Sequence, residues 1–182
     1  MRVLWMMLLG LAVLTGTPNE YLSAKRKFDE ISSDRLRAGT RVTLSVGELN
    51  AFVAEEAPEG VRNTKLSVIG PGRAQGSAII DFGKLERSQG RQPGWLMSML
   101  LEGEHPVSVT ARIRSGGGEA TVDVDRVEIG GMQIDGKTLQ FLIENFLLPM
   151  YPDAAVGRSF DLGHRIESLD VQPAGVTVAI GR

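Results

Sequence analysis

The sequence predicts an α+β domain in which a curved antiparallel sheet of about seven strands packs on two or three helices. Runs of alternating apolar residues come in pairs, and glycine-rich turns connect the members of each pair, as in β-hairpins. Further segments carry apolar residues at helical spacing. Because the strands cluster in hairpins instead of alternating singly with helices, the pattern disfavours a doubly wound parallel sheet.

The composition fits one globular domain and excludes several classes of protein. The chain has 182 residues, of which 42% are hydrophobic and 23% are charged. Its 20 basic and 22 acidic residues give a net charge of -2, which lacks the basic excess of a nucleic-acid-binding protein. Cysteine is absent, so disulfides, thiol catalysis and zinc–thiolate sites are excluded.

The N-terminal segment predicts export. Arg2 precedes an apolar run over residues 3–14, which is too short to cross a bilayer as an ordinary helix of about 20 residues. We therefore interpret residues 1–17 as a signal peptide or an N-terminal anchor, which places the protein in the periplasm or the cell envelope. A buried cytosolic helix is the alternative, but it needs a polar face that this segment lacks.

Residues 18–39 predict a short connector helix before a single α+β domain at 40–182. Four residues recur at spacings of three and four: Tyr21, Ala24, Phe28 and Ile31. Such a helix either packs on the domain or lies along an anionic membrane surface. Acidic residues dilute its basic cluster, which favours a solvated connector.

The first half of the domain alternates strands with one capped helix. Ser45 and Glu48 form a capping-box pattern after a strand at 42–44, and the helix that they begin ends near Pro58. After a turn at 70–72, a strand runs to Phe82 with apolar residues at every second position. Small residues occupy the first half of that apolar face, so a bulky group is expected to pack across it.

The second half contains a long hairpin between two apolar helices. Residues 95–101 are apolar on all sides, which predicts a buried helix or a lipid contact. The alternation of the second hairpin strand changes phase at Asp125–Arg126 and predicts a β-bulge there. The second helix ends at Pro149, and a terminal hairpin turns at 173–175.

These two helices carry more apolar surface than a one-sided helix needs, so they either complete a solid core or line a groove for an apolar ligand. The residues that we expect to line such a groove are Trp95, Leu96, Met99, Leu100, Leu139, Leu142, Ile143, Phe146 and Leu147.

Residues 131–138 match the phosphate-loop pattern G-x-x-x-x-G-K-[ST], in which Lys137 would contact phosphates and Thr138 would hold Mg²⁺. A strand precedes the motif and a helix follows it, but the sequence offers no parallel strand that ends in a second aspartate. We therefore favour a glycine turn followed by a helix that Asp135 caps, and nucleotide binding is the alternative.

The other polar residues give no catalytic constellation, so we expect no enzyme, no cofactor and no metal site. Asp123 and Asp125 point to one face of a strand and are interpreted as a solvated pair, with cation binding as the alternative. His105 and His164 lack further ligands at metal-binding spacing.

Residues 44–50, which read LSVGELN, resemble the opening strand and helix of small bacterial envelope proteins related to the tubular lipid-binding (TULIP-like) superfamily. The turn at 70–72, the following strand and the turn at 129–131 add to this likeness, which covers about residues 40–182. The resemblance implies a helix wrapped by a curved antiparallel sheet, with an apolar groove that holds a lipid tail.

We accordingly expect an exported, non-enzymatic domain that binds an apolar or lipid-like small molecule at the cell envelope, with membrane association through its N-terminus and no nucleic-acid partner. The alternatives are an envelope scaffold with a solid core and no ligand, and a nucleotide-binding protein that uses residues 131–138.

Overall fold

The computed structural model describes residues 18–88, 90, 102–148 and 156–182, and within these ranges it confirms the α+β class. The helices are α1 (Pro18–Ser32), α2 (Val46–Glu55), α3 (Phe82–Ser88) and α4 (Gly136–Leu142), which continues as a π-helical turn (Ile143–Leu147). The strands are β1 (Arg41–Ser45), β2 (Val61–Gly70), β3 (Arg73–Asp81), β4 (Glu104–Gly116), β5 (Glu119–Ile129), β6 (Met132–Ile134), β7 (Ser159–Asp161), β8 (Ile166–Gln172) and β9 (Gly175–Ile180).

The strands form two antiparallel sheets. The large sheet has the order β2-β3-β4-β5, and β6 and β7 both pair with the outer edge of β5. The small sheet has the order β1-β9-β8. The described residues thus hold nine strands instead of about seven, and the three residues of β6 are too few to show the alternation by which a strand is predicted.

The predicted β-bulge is present in β5. Thr110 of β4 faces Arg126 and the next residue, Ala111, faces Val124, so Asp125 is the extra residue. The insertion shifts the alternation by one position. As a result, Val124 on one side of the bulge and Val127 on the other side both lie on the inner face of the sheet.

The free edge of β8 contacts the β2–β3 and β4–β5 hairpins near their turns, and these contacts join the two sheets. The Gly72 amide donates to the Val171 carbonyl at 2.9 Å. The Ser115 hydroxyl donates to the Leu169 carbonyl at 2.9 Å and accepts from the Leu169 amide at 2.7 Å. These bonds satisfy edge groups that would otherwise remain unpaired.

The first hydrophobic core lies between α1, α2 and the small sheet. Ala24 is fully buried, and Ile31 is only 5% exposed against Leu44, Val178 and Ile180. Helix α1 therefore packs on the domain instead of being solvated on all sides. Among the described residues, neither α1 nor any other helix is long and apolar enough to cross a membrane.

The second core lies at one end of the large sheet, where Phe82 and Leu85 of α3 meet Val127 and Ile129 of β5. The sequence predicted that the β3 strand runs to Phe82, and this prediction is wrong because β3 ends at Asp81. The Asp81 carboxylate accepts a hydrogen bond from the Lys84 amide at 2.9 Å and starts α3 instead. Residues 91–101, which include the predicted apolar helix, lie outside the described ranges.

We predict that Gly175→Ala destabilises the protein by about 1–3 kcal/mol, the cost of a forced backbone strain. Gly175 has φ 151°, and a Cβ there would overlap the Leu44 carbonyl oxygen of the neighbouring strand. Urea unfolding measures the change.

Gly116→Ala is the matched control, because no described atom lies within 4 Å of the added Cβ and its φ is not positive. Equal unfolding free energies for the two variants would contradict the close approach of β1 and β9.

Candidate ligand site on the large sheet

The inner face of the large sheet carries an apolar trough, which the strand register builds from alternate residues. Its floor lies on β3, and larger side chains on the two neighbouring strands form its walls. Leu66 of β2 and Val109 of β4 both lie opposite Gly76. The apolar trough consists of Leu66, Val68, Ala74, Gly76, Ala78, Val107 and Val109.

The floor of the trough is open at Gly76. No atom of the described residues lies within 4 Å of the position that a Cβ would occupy there, and its φ is not positive. The backbone of β3 therefore does not require glycine at this position. Among the described residues the space above it is unfilled because Gly76 contributes no side chain, and Ala74 and Ala78 extend that shallow floor in both directions.

The strands of the inner face differ in burial. On β5 Val127 and Ile129 are each 6% exposed beneath α3 and α4, and Val107 and Val109 of β4 pack against the same core. On β2 and β3 Leu66, Val68 and Ala74 are only half-buried. Apolar side chains on a sheet normally lose contact with water against a second layer. This half-buried stretch is the feature of the described fold that an apolar ligand would complete.

The predicted lining residues divide into three groups. Leu139 and Leu142 of α4 pack against the second core and Ile143 is half-buried. Trp95, Leu96, Met99 and Leu100 lie outside the described residues, and the side chains of Phe146 and Leu147 do as well.

None of the trough residues belongs to the predicted ligand-lining set. The sequence features that mark them are the alternation of apolar residues in β2 to β4 and the small residues of β3. The predicted packing of a bulky group across those small residues concerns the same face of β3.

The wall of the trough on β2 contains a bulge with a buried hydroxyl. Asn63 has φ 52°, and Asn63 and Thr64 together face Ala78 because the register shifts between Arg62 and Lys65. The Thr64 Oγ1 is buried, and no polar atom in the described ranges reaches it. A buried polar atom without a hydrogen-bond partner lowers the folding stability by about 1–3 kcal/mol. The bulge thus places a polar position at the side of an otherwise apolar site.

Asn50 of α2 fixes the same strand from its outer edge. Its Nδ2 donates to the Leu66 carbonyl at 2.8 Å, and its Oδ1 accepts from the Leu66 amide at 2.7 Å. The side-chain amide thus replaces a neighbouring strand at this residue. Leu66 forms the wall of the trough beside Gly76, so Asn50 holds that wall in place.

The outer face of the same sheet is charged and paired. The Asp125 carboxylate lies 3.3 Å from both Arg73 and Arg112, and Asp123 lies 2.6 Å from Arg114. Each aspartate therefore already has a cationic partner. Within the described ranges no group of three or more histidine, aspartate or glutamate side chains is arranged to hold a metal ion.

Glu48 connects α1, β1 and α2 and is 7% exposed. It accepts from the Ser23 hydroxyl at 2.6 Å, from the Lys27 ammonium at 2.8 Å and from the Ser45 amide at 2.8 Å. The Glu48 amide in turn donates to the Ser45 hydroxyl oxygen at 3.1 Å, which confirms the predicted capping box. Lys27 also donates to the Thr43 carbonyl on the free edge of β1 at 2.7 Å.

This environment keeps Glu48 ionised. Burial alone would raise the pKa of its carboxyl, but the hydrogen bonds from Lys27, Ser23 and the Ser45 amide outweigh burial and lower the pKa to about 2. A carboxylate with so low a pKa is a weak base at neutral pH. The cluster beside Ser23 and Lys27 is therefore suited to holding the fold and not to proton transfer.

A polar cleft of about 600 Å³ lies beside the β7–β8 loop, where Gly163, His164 and Arg165 all have positive φ. Arg165 donates there to the carbonyls of Leu36 and Gly181, both at 3.3 Å. This side chain ties the C-terminus to the segment after α1, so the strained loop has a structural explanation. His164 lies 3.5 Å from the Asp34 carboxylate.

The segment that matches the phosphate-loop pattern folds differently from a phosphate loop. Residues 132–134 form β6, which pairs with β5, and Gly130 and Gly131 make the turn before it. Helix α4 follows Asp135, which occupies the N-cap position without a side-chain capping bond. The glycine turn and the following helix are as predicted, but Asp135 does not cap the helix with its side chain.

No model of a protein family matches this chain, and no match was found among the curated proteins or the solved structures.

We predict that Glu48→Gln lowers the free energy of unfolding at pH 7 by about 1.5–3 kcal/mol, the range for hydrogen bonds to a charged group. The folded pKa of about 2 lies below the usual value of 4.5, so the stabilisation is complete above pH 4.5 and declines as the pH falls toward 2. Urea unfolding at pH 7 and at pH 3 should give a smaller difference between wild type and variant at pH 3.

Glu104→Gln is the control, because Glu104 forms an exposed pair with Arg62 at the other side of the fold and should change stability little. A difference between wild type and Glu48→Gln that stays constant from pH 7 to pH 3 would contradict the role of the Glu48 charge.

Proposed function

We propose that this protein is an exported, non-enzymatic domain that binds one apolar chain, such as the acyl tail of a lipid, in the apolar trough. The observation that carries the proposal is the open floor of β3 at Gly76 between the walls formed by Leu66 and Val109. The small residues Ala74, Gly76 and Ala78 follow one another along β3, so the trough is elongated and suits an extended hydrocarbon chain better than a compact ligand.

Desolvation would supply the binding energy. Each methylene that leaves water contributes about 0.8 kcal/mol, so a chain that covers the half-buried residues gains affinity along its whole length. The outer face is charged and paired, so it offers such a chain no comparable surface.

The location at the cell envelope rests on the sequence of residues 1–17, whose charge and apolar run are typical of an export signal or anchor. The resemblance of the sequence to lipid-binding envelope proteins agrees with this location and with an apolar ligand.

We expect Gly76→Leu to weaken the binding of an anthroyloxy-labelled stearic acid by at least about tenfold. The leucine side chain would fill the space above the floor, and excluding only two methylenes costs about 1.6 kcal/mol. Stability should be kept or increased, because glycine inside a strand costs about 0.5–1 kcal/mol relative to alanine. Fluorescence titration measures binding, and urea unfolding measures stability.

Ser77→Leu is the matched control, since the neighbouring residue lies on the outer face of the same strand and is exposed. It should bind the fatty acid as the wild type does. Wild-type protein that does not bind the fatty acid, or equal affinities for the two leucine variants, would contradict the proposal and favour a scaffold without a ligand.

A further inference from the structure

We infer that the outward face of α1 is a docking surface for an anionic phospholipid bilayer. The face is defined by Leu22, Lys25 and Arg26, which are all exposed. Leu22 is 56% exposed, whereas Phe28 and Ile31 of the same helix pack inward. Lys25 and Arg26 follow it at the spacing of three and four that places residues on the same side of a helix.

The contacts of α1 fix this face outward. Ala24 and Ile31 are held in the first core, and Lys27 is bonded to Glu48 and to the Thr43 carbonyl. The helix therefore does not need to rotate or unfold to present the opposite side. A rigid helix loses little conformational entropy when a surface binds to it.

The chain before α1 supplies an independent reason for a membrane as the partner. An apolar run covers residues 3–14, and only residues 15–17 separate it from Pro18, the first residue of α1. A chain advances at most about 3.5 Å per residue, so the first turn of α1 begins within about 14 Å of the end of that run. Wherever the run inserts into lipid in the full chain, α1 lies next to the membrane surface.

The charges on α1 determine which kind of membrane attracts the helix and which part of the helix contacts that membrane. The exposed basic residues Lys25 and Arg26 lie at the middle of α1, one turn after Leu22, and the exposed acidic residues Asp29 and Glu30 follow one turn later. Basic side chains are attracted to anionic lipid headgroups, and acidic ones are repelled. The helix should therefore meet the bilayer around Leu22, Lys25 and Arg26 and tilt so that Asp29 and Glu30 lie farther from the headgroups, while Leu22 enters the interface between headgroups and acyl chains.

Single-cysteine labelling tests this orientation, because the natural chain contains no cysteine. The full chain with Leu22→Cys carries the fluorophore NBD and is mixed with vesicles of phosphatidylcholine and phosphatidylglycerol. Ile69→Cys, which replaces a 51% exposed isoleucine in β2, is the matched control. We expect a blue-shifted, brighter emission at position 22 and an unchanged one at position 69. No change at position 22, or the same change at both positions, would overturn the inference.

A charge test separates docking from simple insertion of the apolar run. The double variant Lys25→Gln and Arg26→Gln should bind the anionic vesicles about 25-fold more weakly, since each basic residue near such a surface contributes about fivefold. Lys65→Gln with Lys137→Gln removes the same charge elsewhere and should bind as the wild type does. Equal binding of the two double variants would overturn the inference.

The docking surface does not depend on the proposed ligand. Gly76→Leu changes the trough and leaves the exposed face of α1 intact, so a failure of fatty-acid binding and a failure of vesicle docking are distinguishable.

Discussion

The fold depends on two polar side chains of α2 that satisfy the free edges of two different sheets. Glu48, together with Lys27, bonds the edge of β1, while Asn50 bonds both backbone groups of Leu66 at the edge of β2. Side chains two positions apart leave a helix in widely different directions. A single short helix can therefore bond to both sheets. Because the charge of Glu48 is buried, the loss of any of its hydrogen-bond partners would destabilise this arrangement.

This arrangement determines how much of the large sheet is covered. The sheets are joined at α2 and again where β8 meets the hairpin ends, so the position of the large sheet is fixed near its edges. Helices α3 and α4 pack over Val127 and Ile129, and Val107 and Val109 lie against the same core. Among the described residues the face over Ala74 and Gly76 is left half-buried, and the proposed ligand chain would cover it.

Much of the architecture follows from local patterns in the sequence. The hairpin turns, the capping box at Ser45 and the bulge at Asp125 are determined by residues close together in the chain, and each could be predicted. Helix α3 was missed because one aspartate side chain, that of Asp81, stops the strand, and alternation alone does not reveal where that happens.

The site was harder to predict, because it depends on contacts between distant residues. The pairing of Asn50 with Leu66 spans 16 positions and leaves no spacing signal. The predicted lining residues are large apolar side chains of the two helices, but Leu139 and Leu142 are partly used in the second core. A trough floor is defined by the smallest side chains, which give no strong apolar signal in the sequence.

The central claim is that an apolar chain completes the face of the large sheet, and the most direct measurement is of what the protein carries when it is isolated from cells. The full chain should be isolated from the envelope fraction and extracted with organic solvent, and the extract should be analysed by mass spectrometry. We predict about one acyl-chain lipid per protein molecule. An extract with no apolar molecule near that ratio, from protein that is correctly folded, would contradict the account.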